Sequence, residues 1–95
     1  MVTPLRRALA GREEKGDVII KIEPADNGGD VKIFLEKLEI DLFDEQIRRV
    51  VYEHAKALEI EDANIYVYDN GALDFAIRAR LEAAFERSIL GGEEK

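Results

Sequence analysis

Apolar and polar residues alternate in three short stretches of this chain and recur at helical spacing in two long ones. Residues 17–23 set Val18, Ile20 and Ile22 on one side and Lys21 and Glu23 on the other, and residues 31–36 repeat the pattern with Val31, Ile33 and Leu35. Between these two strands, Pro24 and the run Asp26, Asn27, Gly28, Gly29, Asp30 supply turn residues able to take positive φ, so the spacing predicts an antiparallel β-hairpin. A long helix follows. Asp41 is placed to cap it, its apolar stripe is Phe43, Ile47, Val50, Val51, His54 and Leu58, and Asp44/Arg48 and Glu45/Arg49 are acid-first pairs one turn apart. Residues 64–69 return to alternation, with Ile65 and Val67 opposed to Tyr66 and Tyr68, and Asp69, Asn70 and Gly71 close that strand. The second long helix carries Leu73, Ile77, Leu81, Ala84, Phe85 and Ile89 on its stripe, pairs Asp74 with Arg78, and stops at Gly91 and Gly92.

Two further segments complete the reading. Thr3 and Pro4 read as the N-cap and first position of a short helix over residues 5–10, ended by Gly11. Residues 11–17 hold two glycines and a run of charges, which predicts an exposed, mobile loop, and residues 91–95 a frayed tail. The expected fold is therefore α+β: one domain over residues 1–95, a two-layer sandwich with a three-stranded mixed sheet. That sheet combines the β-hairpin with a right-handed β-α-β crossover that sets the third strand parallel to a neighbour. Both long helices cover one of its faces, and a short N-terminal helix completes the set of elements.

Charge narrows the function classes. Fourteen basic residues against 21 acidic ones leave a net charge of -7, which repels phosphate backbones and anionic lipid, so neither nucleic acid nor a membrane surface is an expected partner. There is no cysteine, hence no disulfide framework and no thiolate metal site, and no apolar run is long enough for a spanning helix or a signal peptide. A cytoplasmic location is the expectation.

The segments with sequence YDNGALDFAIRARLEAAFERS (residues 68–88), ALAGREEKGDVIIKIEPA (8–25) and FDEQIRRVV (43–51) resemble the citrate lyase acyl carrier proteins, the gamma subunits of a bacterial lyase complex. The resemblance covers residues 8–88. It implies a subunit that is not catalytic alone, working with alpha and beta subunits that perform acyl transfer and cleavage. The carrier of malonate decarboxylase is a second, more distant likeness. In the family a serine in a Glu-Ser-Gly-Asp segment bears a phosphoribosyl-dephospho-coenzyme A arm through a phosphodiester. Here the matching run is Glu14, Lys15, Gly16, Asp17, so the attachment position is Lys15. A lysine amine offers nitrogen where the linkage needs an oxygen, and no hydroxyl lies in residues 11–17. Ser88 and Thr3, the one serine and the one threonine, sit elsewhere. No cofactor is therefore expected on this chain. The alternative to a carrier is a structural or regulatory subunit of a lyase that uses free coenzyme A thioesters.

Other candidates have plain explanations. Lys15 among Glu13, Glu14 and Asp17 is a solvated lysine more readily than a Schiff-base one. His54 lacks a second histidine or cysteine partner and reads as a core-boundary residue. Glu13/Glu14 and Glu61/Asp62 read as solvated surface, Asp74 as an acid answering the free N–H groups of a helix start, and Gly28–Gly29 matches no phosphate-binding pattern. Strict alternation also turns Ile19, Phe34, Tyr66 and Tyr68 away from the helices, beside Lys21, Lys32 and Glu36. Two readings of that face stand together. Charged stems and the N-terminal helix cover it, or it is a docking surface for partner subunits.

Overall fold

The computed structural model describes residues 1–36 and 44–91. Its elements are β1 (Ala8–Gly11), β2 (Asp17–Pro24), β3 (Val31–Leu35), α1 (Asp44–Ala57), β4 (Ala63–Asn70) and α2 (Asp74–Leu90). The strands form one four-stranded sheet in the order β1-β2-β4-β3. The β1–β2 and β2–β4 pairs are antiparallel and the β3–β4 pair is parallel, as expected for a β-α-β crossover through α1. The α+β architecture with two long helices on one face stands. The expected Asp41 cap and Phe43 lie outside the described residues.

Three expectations change. The N-terminal helix is instead the edge strand β1, so the sheet has four strands, not three. Its burial alternates, with Ala8 and Ala10 buried and Leu9 42% exposed, which is a two-residue period. A helical hydrogen-bond ladder loses here to pairing with β2, where Ala8 faces Ile22 and Ala10 faces Ile20. Ahead of it the chain is extended: Val2 N–H donates to Glu59 (2.7 Å), Glu61 N–H donates to Val2 (2.9 Å), and Pro4 is fully buried.

The second change is the hairpin. β2 and β3 run antiparallel, yet β4 lies between them, and Pro24 and Val31 pair with the same residue, Ala63. Residues 25–30 must then step across two strand spacings, roughly 9.5 Å. Asp62 organises that step: its Oδ1 accepts from Asn27 N (3.0 Å) and Gly29 N (2.8 Å), and its backbone N–H donates to Asp30 O (3.0 Å). Asp62 holds φ at 55° to do so.

The third concerns the α2 stripe. Ile77, Leu81 and Ala84 are buried as expected, but Ser88 completes the row, while Leu73 is 64% exposed and Ile89 only partly covered. Gly91 ends the helix in the left-handed conformation at φ 73°, its N–H donating to Arg87 O at 2.9 Å. The core is a single layer between helices and sheet, with Val18, Ile20, Ile22, Ile65 and Val67 below and Ile47, Val51, Ala55, Ile77, Leu81 and Ala84 above. His54 sits at its rim, where Nε2 lies 3.3 Å from Glu82 Oε1 and links α1 to α2.

Candidate functional site

Lys15 lies at the tip of the connection from β1 to β2, exposed together with Arg12, Glu13 and Glu14. Two glycines make this turn possible. Gly11 holds φ at 117° and Gly16 at 86°, both outside the range side-chain-bearing residues favour. Two backbone hydrogen bonds tie its C-terminal side. Asp17 N–H donates to Glu14 O (3.0 Å), and Gly16 N–H donates to Asn70 O (2.7 Å) at the end of β4.

The strongest tie comes from α2. Arg80 Nε donates to Asp17 Oδ1 (3.1 Å) and its Nη2 to Oδ2 (2.7 Å), a two-pronged pair in which the Asp17 side chain keeps 16% exposure. Val18 N–H also donates to Oδ1 at 2.7 Å. The Arg80 guanidinium, and after it the Val18 N–H, hold the Asp17 carboxyl below its ordinary range, and the same pair raises Arg80. Arg80 received no role from the sequence. Its signal was its place three residues after Ile77 and four before Ala84, on the inward flank of the stripe.

Between the turn and α2 lies an open cleft of about 410 Å³ lined by Lys15, Gly16, Asp17, Phe75, Ala79 and Arg80, among others. Phe75 is 70% exposed. The donor set of this turn does not fit a phosphodiester-linked arm, because Lys15 presents an amine and the turn has no hydroxyl. Ser88 cannot substitute: it is fully buried and its hydroxyl donates to Phe85 O at 2.7 Å.

The other candidate residues come together on the open sheet face. Ile19 pairs with Tyr68, and the Phe34 and Tyr66 rings stack with centroids 4.9 Å apart. Lys21 Nζ stands 5.5 Å from the centre of the Tyr66 ring, so one charged stem does lean over the aromatics. The N-terminal segment does not, because it continues the sheet as β1. Tyr66 donates its hydroxyl hydrogen to Glu23 Oε2 (2.8 Å), and Asn64 Nδ2 lies 3.4 Å from the same oxygen. The Tyr66 bond, ahead of Asn64 and the nearby Arg7, lowers the Glu23 carboxyl, and in return raises the Tyr66 hydroxyl. Since Asp17 pairs with Asn70 and Ile19 with Tyr68, this face reaches the same end of the sheet as the Lys15 turn. Among the described residues no group of histidines, cysteines and carboxylates could hold a metal ion.

Residues 5–88 match the acyl carrier family described as "Malonate decarboxylase delta subunit (MdcD)". The chain belongs to this acyl carrier family. The citrate lyase acyl carrier protein of Enterobacter sp. (strain 638) is 45% identical over 84 residues, 88% of this chain and 84% of that protein. That of Cronobacter sakazakii is 42% identical over the same shares of both chains, and that of Halothermothrix orenii 35% identical over 94% of this chain and 93% of its own. In fold, the acyl carrier chain is similar to a chain in the crystal structure of a Pseudomonas malonate decarboxylase hetero-tetramer in complex with malonate. The TM-score is 0.70 over 90% of this chain and 86% of that one, at 22% identity. Among the described residues no helix is long and apolar enough to cross a membrane.

Proposed function

We propose that this chain is the carrier-type gamma subunit of a citrate-lyase-like complex, docking on the larger alpha and beta subunits without bearing an arm at position 15. The observation that carries this reading is Lys15 at the exposed tip of the β1–β2 turn, where the family's serine is expected. An arm fixed at such a tip would turn encounters between active sites into tethered transfers at high effective concentration. With no oxygen to esterify, that role is closed to this chain, and docking remains. Ile19, Phe34, Tyr66 and Tyr68 form the proposed docking face: contiguous, partly exposed and rimmed by Lys21, Glu23 and Lys32. A complex built this way would draw its acyl groups from free coenzyme A thioesters.

The decisive experiment is an intact-mass measurement on the chain isolated from cells that hold lyase subunits and the arm-attaching enzymes. An unmodified mass in a co-purifying complex is expected. A chain heavier by one phosphoribosyl-dephospho-coenzyme A group would overturn the arm-free reading. A malonate-decarboxylase-type assembly is the second reading, favoured by the family description that residues 5–88 match. The identity of the co-purifying large subunits separates the two.

A further inference from the structure

We infer that Arg80 is a positioning residue: it clamps the base of the β1–β2 turn to α2 and thereby fixes the direction in which the side chain at position 15 leaves the protein. The inference rests on the reading of position 15 as the family's attachment position. The turn is held at three points on two other elements. Arg80 grips both Asp17 carboxylate oxygens at 3.1 and 2.7 Å, Asn70 O accepts the Gly16 N–H at 2.7 Å, and Gly71 bridges to Asp17 beyond it. A guanidinium fork engages a carboxylate in one plane and from one side, so it sets orientation as well as distance. Lysine or glutamine at position 80 would keep a polar end but lose the two parallel N–H donors that reach both oxygens.

The clamp has a geometric consequence at the tip. Asp17 lies two residues from Lys15, and the intervening Gly16 takes φ 86°, a conformation open to many alternatives once its neighbour is released. With the fork closed, Lys15 is one of the residues lining the cleft against α2, together with Phe75, Ala76 and Ala79. A partner's catalytic site approaching this end would meet position 15 at one fixed bearing over the first turns of α2. With the fork open, the bond at Gly16 N, the bridge from Gly71 to Asp17 and the turn bond from Asp17 N to Glu14 O are left to hold a four-residue charged tip, with no hydrogen bond among the described residues joining it to α2.

The test uses the full chain in four forms: K15S, K15S/R78Q, K15S/R80Q and K15S/R80K. Each is offered to the family's attachment enzyme with its activated arm donor, and mass gain is followed over time. Folding is checked by thermal melting, and backbone order at residues 13–16 by the heteronuclear NMR Overhauser effect. K15S and K15S/R78Q are expected to load at equal rates. K15S/R80Q is expected to lose order at 13–16 and to load on the order of 10–100-fold more slowly through kcat, with KM changed little. If K15S/R80Q folds and loads as fast as K15S, the positioning role fails while the reading of position 15 survives. If K15S itself gains no mass, that reading fails. Should R80Q not fold, K15S/R80K decides: unchanged loading and an ordered turn overturn the inference, and slowed loading with a disordered turn supports it.

Discussion

Gly11 lies so close to Val18 that a Cβ added to it would overlap the Val18 carbonyl oxygen and stand 2.9 Å from Ile19 Cα. The contact belongs to the β1–β2 pair, in which Gly11 faces Ile19, and it starts the turn that carries Lys15. Gly11→Ala meets two costs at once. The backbone at φ 117° is open mainly to glycine, about 1–3 kcal/mol by itself, and the overlap with main-chain atoms adds to it. A fall in the urea midpoint with loss of β1 amide protection is expected. Gly16→Ala meets no neighbouring atoms and should cost less.

Ala10→Leu tests the strand directly. Ala10 is 1% exposed beneath α2, while Leu9 beside it is 42% exposed on the opposite face. Forcing three more carbons into that space should cost about 1–3 kcal/mol by overpacking. Leu9→Ala should change stability little, measured by the same denaturation.

Acid should weaken the fold through three carboxylates. Asp17 is held low by Arg80, Glu23 by the Tyr66 hydroxyl, and Asp30 by the Val31 N–H and then Lys56. Each is depressed in the folded state, so the unfolded chain binds more protons as pH falls. Their contribution is complete above the ordinary values of 3.8 and 4.5 and disappears as pH drops through the lower folded ones. Tyr66 and Lys56 are raised from 10.0 and 10.5, so their share is complete below those values and is lost at higher pH. Urea midpoints against pH should form a dome with an acid limb below about pH 4.5. Arg80→Gln should flatten the Asp17 part of that limb and leave the alkaline limb in place.

Tyr66→Ala with Tyr68→Ala should weaken association with the larger lyase subunits by about tenfold or more, read by pull-down or calorimetry. Tyr66 loses its stack on Phe34 and its bond to Glu23, and Tyr68 its place beside Ile19. Unchanged association in a folded double variant would remove the open sheet face from the docking proposal.

The open face and the clamp differ in how far they could be read beforehand. Ile19, Phe34, Tyr66 and Tyr68 fall on one face because alternation alone dictates which side of a strand a residue takes. Their being neighbours depended on β4 entering between β2 and β3, so that Tyr66 meets both Lys21 and Phe34. The Asp17–Arg80 pair spans 63 positions, and no local period links its ends. Ser88 stands far from the charged turn in the sequence, whereas its burial in the α2 stripe depends on the assembled core.

By itself the sequence determined two long helices, three strands, the faces these present, and the chemistry available at position 15. Those follow from periodicity, glycine placement and side-chain type, all local properties. Strand order, the recruitment of residues 8–11 into the sheet and the grip of Arg80 on Asp17 were decided by tertiary structure. A strand's alternation leaves its hydrogen-bonding edges indifferent to which partner arrives. The choice of partner is made where the helices, the sheet and the connection through Asp62 pack together without leaving polar groups unpaired.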